Sequence, residues 1–437
     1  MITSIIIAAA TCLLLIVAVL TKSRVKIGDF KLDIYPFVPL LGAICVICFK
    51  TIGIKDIVEK FTSSSSSNPV KIIVLFISMS LLSVLLDESG FFEYIAEKIA
   101  QKAGNSQKRI FIAIYLTVSL LTIFTSNDVV ILTFTPFICQ FCKKAEINSL
   151  PYVVSEFVAA NTWSLLFLIG NPTNVFLSQA YGVTFGDYFL RMWLPTVFCG
   201  VSSFVCLYLI FRKKLQMPAY RSINEVKLKD KPVATIDCAF LCACTALIAV
   251  ASYIHLEMWY VALIMTTIAY LVVIIYKLVV HQTETIVKRS FLRAPWQTLP
   301  LVLGMFVVIL SLVSTGATGV ICNYIGSSFP IIKYGVISTL LSNLTNNIPM
   351  SVLFSSVTSE ITEPIVMQKA VYATIIGSNI GAFLTPLGAL AGLMFTNIVK
   401  RYDKGFGFVS FIGYGSMVAS VSLVFGLIGL YLSFLLS

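Results

Sequence analysis

Charge is what this sequence lacks. Asp, Glu, Lys and Arg make up 12% of its 437 residues while 58% are hydrophobic, whereas roughly a quarter of the residues in a soluble domain are charged. The shortage excludes a soluble domain and makes the chain a polytopic membrane protein. Histidine is scarcer still: two residues, His255 and His281, both in loops. No H-E-x-x-H set and no nucleophile with a base is found, so an intramembrane enzyme has no support, and no cofactor or resident metal is expected. No G-x-x-x-x-G-K-[ST] run occurs either, so any ATP chemistry has to come from another protein. Acid is the rarer charge, 20 Asp and Glu against 31 Lys and Arg.

What is there is apolar length. A helix needs about 20 apolar residues to span a bilayer, and ten stretches qualify: roughly 3–21, 35–52, 69–87, 151–181, 190–211, 234–253, 258–280, 298–315, 367–398 and 408–436. Two further apolar runs, 108–142 and 333–356, have polar centres. No small-residue cleavage site precedes "KSRVK", so the first stretch reads as a helix and not a signal peptide. With the termini outside and both odd runs entering and leaving on one side, the loops at 22–34, 88–109, 143–150, 212–232, 277–297 and 399–405 become cytoplasmic. They hold 24 of the 31 Lys and Arg, the bias expected of cytoplasmic loops. The formal charge of +11 is therefore met by an anionic leaflet of the cell membrane and needs no nucleic acid.

The same layout exposes a repeat. "SND" ends at Asp128 and "TNN" at Asn347; "AANTW" is centred on Asn161 and "GSNIG" on Asn379. The interval from Asp128 to Asn347 equals that from Asn161 to Asn379 to within one position. Residues 1–211 and 233–437 each read as three spans, a hairpin (108–142 or 333–356), a broken span (151–181 or 367–398) and a final span, joined by a basic cytoplasmic linker, 212–232. Three spans precede the first hairpin and five separate the two, so the hairpins enter from opposite sides. The expected fold is an all-α membrane protein of two inverted repeats with two re-entrant hairpins and two broken helices, the plan of a secondary transporter with its site near the midplane.

The breaks are "GNPTN" at 170–174 and "TPLG" at 385–388. Pro and Gly free carbonyls and amides at membrane depth, tolerated only where they are buried in protein or line a cavity. Two hairpin tips and two breaks then converge on one pocket, which makes Asn127, Asn161, Thr162, Asn171, Thr173, Asn174, Asn346, Asn347, Ser378, Asn379 and Thr385 candidate substrate ligands. Each such amide or hydroxyl taken singly is as well explained as helix glue; it is the recurrence in register that points to a site. Asp128, a carboxylate in an apolar run, is the candidate proton-coupling group. Glu156 lies nearer the cytoplasmic end of its span and reads as interfacial. The eleven Cys, including Cys45/Cys48, Cys139/Cys142 and Cys242/Cys244, lie mostly in apolar spans and read as small hydrophobes. "TSSSSSN" at 62–68 reads as a flexible polar loop.

"LLDESGFFEY" (85–94), "SNDVVILTFTPF" (126–137), "AANTWSLLFLIGNPTN" (159–174), "LRAPWQ" (292–297), "NNIPM" (346–350) and "IGSNIGAFLTPLGALAGLMF" (376–395) together resemble the arsenite efflux permeases of bacteria and archaea, over nearly the whole chain. "LLDESGFFEY" and "RAPWQ" are the more specific pieces; the Asn-rich hairpins and Thr-Pro breaks are shared across the ion transporter superfamily. The resemblance implies extrusion of arsenite or antimonite by proton antiport, alone or seated on a soluble ATPase, with an elevator-like or rocking motion. It maps the family's hairpin Asn-Asp onto Asn127 and Asp128 and its second Asn pair onto Asn346 and Asn347. Two acids common in that family are absent, replaced by Asn161 and Asn379, and its Gly-Pro-Lys is Gly381, Ala382 and Phe383.

These replacements leave Asp128 as the main protonatable group and bring the pocket closer to the Asn-rich sodium sites of dicarboxylate carriers. Two readings therefore stay open. One is a proton antiporter for a neutral metalloid trihydroxide; the other is a sodium-coupled carrier of a small organic or inorganic anion such as a dicarboxylate. A channel would need a continuous polar stripe along several helices, and a scaffold would not need two broken spans.

Overall fold

Apolar segments that must leave no backbone amide unpaired in lipid fold as helices, and the computed structural model of the chain is built almost wholly of them. It describes residues 1–21, 24–27, 30–64, 68–216, 228–254, 256–282, 285–403 and 405–436. The middle of the serine run (65–67), most of the basic linker (217–227) and His255 lie outside the described residues.

The first half runs α1 (Ile2–Leu20), α2 (Val38–Cys48), α3 (Ile54–Thr62), α4 (Pro69–Glu88), α5 (Phe91–Ala103), α6 (Gln107–Phe124), α7 (Asn127–Lys144), α8 (Leu150–Trp163), α9 (Pro172–Gln179) and α10 (Phe185–Phe211). The second runs α11 (Lys231–Ala251), α12 (Met258–Val279), α13 (Thr285–Arg293), α14 (Thr298–Ser314), α15 (Ala317–Ile325), α16 (Pro330–Thr345), α17 (Asn347–Thr358), α18 (Pro364–Gly381), α19 (Leu390–Tyr402) and α20 (Phe408–Leu435). The two series match term by term. Each hairpin is two helices around a short break, at Thr125–Ser126 and at Asn346, and each broken span is two helices around a longer one.

Among the described residues seven helices are long and apolar enough to cross a membrane. Six are expected spans; the seventh is α6, the first limb of a hairpin. Ile2–Ala18 and Tyr35–Cys48 are shorter apolar helices, and the broken spans supply the other two. The 22–34 loop departs from expectation: Arg24–Ile27 and Phe30–Asp33 form an antiparallel pair, β1 and β2, with Arg24 opposite Asp33. Val25, Ile27, Phe30 and Leu32 alternate with polar residues there, a period of two that suits strand and not helix.

Contacts between the halves come in exchanged pairs. α7 packs on α19 and α17 on α9; α2 packs on α14 and α12 on α4; α10 packs on its own counterpart α20. Ion pairs fasten α4 to the second half at both ends. Lys71 meets Glu257 at 2.7 Å, and Arg293 grips Asp87 at 2.8 Å and Glu88 beside it. The two most distinctive sequence motifs, 85–94 and 292–297, are thus one structural feature.

Helices α16 and α18 approach closely. Without a hydrophobic drive between helices in lipid, small residues that let backbones approach supply the packing. Gly377 and Gly381 lie against Ser338 and Ser342; a Cβ on Gly377 would stand 2.4 Å from the Gly335 carbonyl oxygen, and one on Gly381 2.8 Å from that of Thr339. Overpacking costs typically about 1–3 kcal/mol. Gly377→Leu is therefore expected to lower the melting temperature of the purified full chain, whereas Gly413→Ala, with nothing within 4 Å of its new methyl, leaves it unchanged.

Candidate functional site

The two broken spans are built alike. A glycine lets the second limb fold back on the end of the first helix: a Cβ on Gly170 would stand 2.4 Å from the Ser164 carbonyl oxygen, and one on Gly388, its counterpart in the second repeat, 2.1 Å from that of Gly381. Each break strands backbone groups that no helical partner satisfies, and side-chain amides take them over. In the first, Asn174 Nδ2 donates to the carbonyls of Ser164 (2.8 Å) and Phe167 (3.3 Å). Asn171 Oδ1 accepts from the backbone N and Oγ1 of Thr173, both at 3.1 Å, so it caps α9 just ahead of Pro172.

In the second break the amides come from the neighbouring hairpin. Asn343 Nδ2 donates to the Gly381 carbonyl at 3.0 Å, while its Oδ1 accepts from Thr385 N (3.0 Å) and Oγ1 (2.7 Å). Asn346 Nδ2 reaches the Leu387 carbonyl at 3.3 Å, and Asn347 N donates to the Gly388 carbonyl at 3.0 Å. Asn346 has φ 76° and ψ 151°, a region that costs a non-glycine residue about 1–3 kcal/mol; its bonds to Leu387 and Ile348 hold it there.

Asn379 joins the halves. Its Oδ1 accepts from Asn171 Nδ2 (2.8 Å) and Ser164 Oγ (3.0 Å), and its Nδ2 donates to Asn174 Oδ1 (2.7 Å) and the Ile375 carbonyl (2.9 Å). Its counterpart Asn161 makes the same bond one turn back, to the Phe157 carbonyl at 2.8 Å, but accepts from Asn127 Nδ2 at 3.0 Å. The structure thus gathers Asn171, Thr173, Asn174 and Asn379 into one network, Asn346, Asn347 and Thr385 into a second, and Asn127 with Asn161 into a third. Two candidates stand apart: the Thr162 hydroxyl is spent on its own helix at Val158, and Ser378 meets Ser351 at 3.4 Å.

Most of the candidate amides therefore hold backbone. Two side chains at corresponding places in the two repeats do not: Asp128 in the first turn of α7 and Asn347 in the first turn of α17. Neither has a hydrogen-bond or ion-pair partner among the described residues. Asp128 is half-buried and sits at the positive end of the α7 dipole, where a carboxylate is favoured. Beside it the buried Ser126 Oγ and Asn127 Oδ1 are also unpartnered. No Lys or Arg occurs within 110–142, 145–190, 334–368 or 370–399, so no basic side chain from the hairpin tips or the breaks faces these groups.

Glu156 is a correction. Expected at the interface, it is fully buried, because α8 is packed by α6, α7, α10, α18 and α20 and every residue from Pro151 to Thr162 is enclosed. Its Oε2 accepts from Thr135 Oγ1 at 3.0 Å, and its Oε1 has no partner. Ser164 and Asn343 were also missed, although both adjoin polar clusters singled out in the sequence. All eleven cysteines are free, Cys45 and Cys48 on the exterior and Cys139 and Cys142 buried.

A family model described as citrate transporter matches residues 34–377, and the chain belongs to that family. It is similar to an uncharacterized transporter of Mycobacterium tuberculosis, 25% identical over 91% of this chain and 93% of that one. It is likewise similar to the arsenical pump membrane protein of Escherichia coli K12, 26% identical over 75% of this chain and 78% of that one. The crystal structure of the Alcanivorax borkumensis YdaH transporter shares the fold, with a TM-score of 0.56 at 15% identity over 99% of this chain and 98% of that one. The chain is a multi-pass membrane transporter acting on a small molecule.

The division of labour among the amides is testable. Asn379→Ala strands Asn171 Nδ2 and Asn174 Oδ1, and each buried polar group left unpaired costs about 1–3 kcal/mol; both melting temperature and transport should fall. Asn347→Ala removes a side chain that holds nothing, so transport should fall while the melting temperature stays.

Proposed function

We propose that this member of the citrate transporter family exports arsenite or antimonite in exchange for protons across the plasma membrane, with its termini outside and its basic loops in the cytoplasm. The observation that carries the reading is the makeup of the unengaged groups: one acid, Asp128, and one amide, Asn347, at corresponding places in the two series, with no basic residue in the hairpin tips or breaks that carry them. A polyanion such as citrate would meet no fixed positive charge there and would face a carboxylate. A neutral trihydroxide matches an acid and an amide by hydrogen bonds alone. The arsenical pump relative in Escherichia coli supports the same cargo.

Inverted repeats and re-entrant hairpins fit the term-by-term match of the two helix series and their exchanged contacts. Alternating exposure of a site held between such repeats is the general device of secondary transporters. Asp128 carries the proton: desolvation favours its neutral form and water on one side its charged form, so its proton affinity changes with exposure. A separate soluble ATPase could drive the same site, since the chain has no phosphate-binding loop. The sodium-coupled reading is favoured by one detail, the unpartnered oxygens of Ser126 and Asn127; a sodium ion held there would supply the charge an anion needs.

Everted vesicles or proteoliposomes decide between them. Arsenite accumulation should follow an imposed pH gradient and ignore a sodium gradient, and Asp128→Asn should abolish the accumulation without lowering the melting temperature. Sodium-dependent dicarboxylate flux with no arsenite movement overturns the proposal.

A further inference from the structure

Glu156, like Asp237 in α11, is a fully buried acid that the site does not use; unlike Asp237 it packs against α7, the helix that carries Asp128. An ionised carboxylate with no cation and one oxygen unsatisfied would cost far more than a protein of ordinary stability can absorb, so such a group is held neutral. Its surroundings offer no alternative. From α7 it receives the Thr135 hydroxyl, and the nearby ionisable groups are the Cys139 thiol on the same helix and, acting on that thiol as well, Asp403 at the end of α19. Among the described residues α6, α10, α18 and α20, which complete the packing around α8, supply no Lys or Arg partner to it.

The repeat supplies a control for what the fold requires here. The position related to Glu156 as Asn379 is to Asn161 is Thr374, in α18, which is equally buried and satisfies its own hydroxyl on the Ala370 carbonyl at 2.8 Å. The position related to Thr135 as Asn347 is to Asp128 is Phe354. The architecture is thus complete without an acid at this place.

Position completes the argument. Asp128, Thr135 and Cys139 follow one another at intervals of seven and four along α7, one face of a helix with about 3.6 residues per turn. Asn127 meets Asn161, while Thr135, farther along α7, meets Glu156, earlier on α8; the two helices run antiparallel, and Thr135 lies about 10 Å along the axis from Asp128, taking about 1.5 Å per residue. That displacement is toward the end of α7 that carries Lys143 and Lys144.

Resting on the proton-antiport reading above, we infer that Glu156 is a second proton-carrying residue of the transport cycle, set between the site acid Asp128 and the cytoplasmic face. The step breaks and re-forms one O–H bond. The Glu156 proton leaves to water only in a conformation that lets water reach α8, and a proton returns from the other side when the chain closes again. Because the buried state accepts only the neutral acid, occupancy of this proton is tied to conformation, which is what coupling requires.

The test compares Glu156→Gln with wild type in proteoliposomes. The variant should retain exchange of labelled for unlabelled arsenite at equal pH and lose accumulation driven by a pH gradient, which drops to the level of undriven exchange. Accumulation equal to wild type overturns the role of Glu156 alone, whereas a wild type indifferent to the pH gradient overturns proton antiport and this role with it. Two readouts stand whatever the cargo or the folding of that variant. In Thr135→Val the charged form loses a donor, so the midpoint of the transport pH profile, or of the buried carboxylic acid band in infrared pH-difference spectra, should move upward. A midpoint that does not move, or an acid band that never titrates, overturns the inference.

Discussion

Every unpaired backbone amide or carbonyl at membrane depth has to find a partner in the protein, and that constraint organises this molecule. Its two broken spans free such groups deliberately, and Asn171, Asn174, Asn343 and Asn346 are placed to receive them. A helix break in lipid is therefore stable only inside a shell of amides. That shell in turn needs flanking helices close enough to be reached, which the small residues of α16 and α18 allow. Packing, polarity and the location of the site are consequences of one requirement.

The repeat is faithful in backbone and unfaithful in side chains, and the differences lie where function is expected. Gly170 and Gly388 keep the same steric task, and Asn161 and Asn379 keep the same bond to their own helices. Asp128 has Asn347 as its counterpart, and Glu156 has Thr374. Both acids thus belong to the first repeat alone. Neither of these two acids has an acidic counterpart in the second series, so the two hairpins match in backbone and differ in chemistry.

Much of this was legible before any coordinates. Asn, Pro and Gly clusters inside apolar runs have few explanations, so the hairpins, the breaks and most of the engaged residues could be read from spacing. What could not be read was which amide holds backbone and which is free, because that depends on partners in the other half of the chain, as with Asn379 and Asn171. Three asparagines crowd "LSNLTNN", and only helical phase decides that Asn343 clasps the break while the Asn347 side chain does not. Glu156 was misjudged for a related reason: depth along a span says nothing of how many helices surround it.

The grip of Arg293 on Asp87 and Glu88 joins one end of α4 to the segment after α12, and it has a consequence for biosynthesis. The ribosome completes α4 long before it reaches α13, so the two acids leave the insertion machinery without their counterion. The counterion of both acids is thus encoded in the second half and reaches them only after that half has been made.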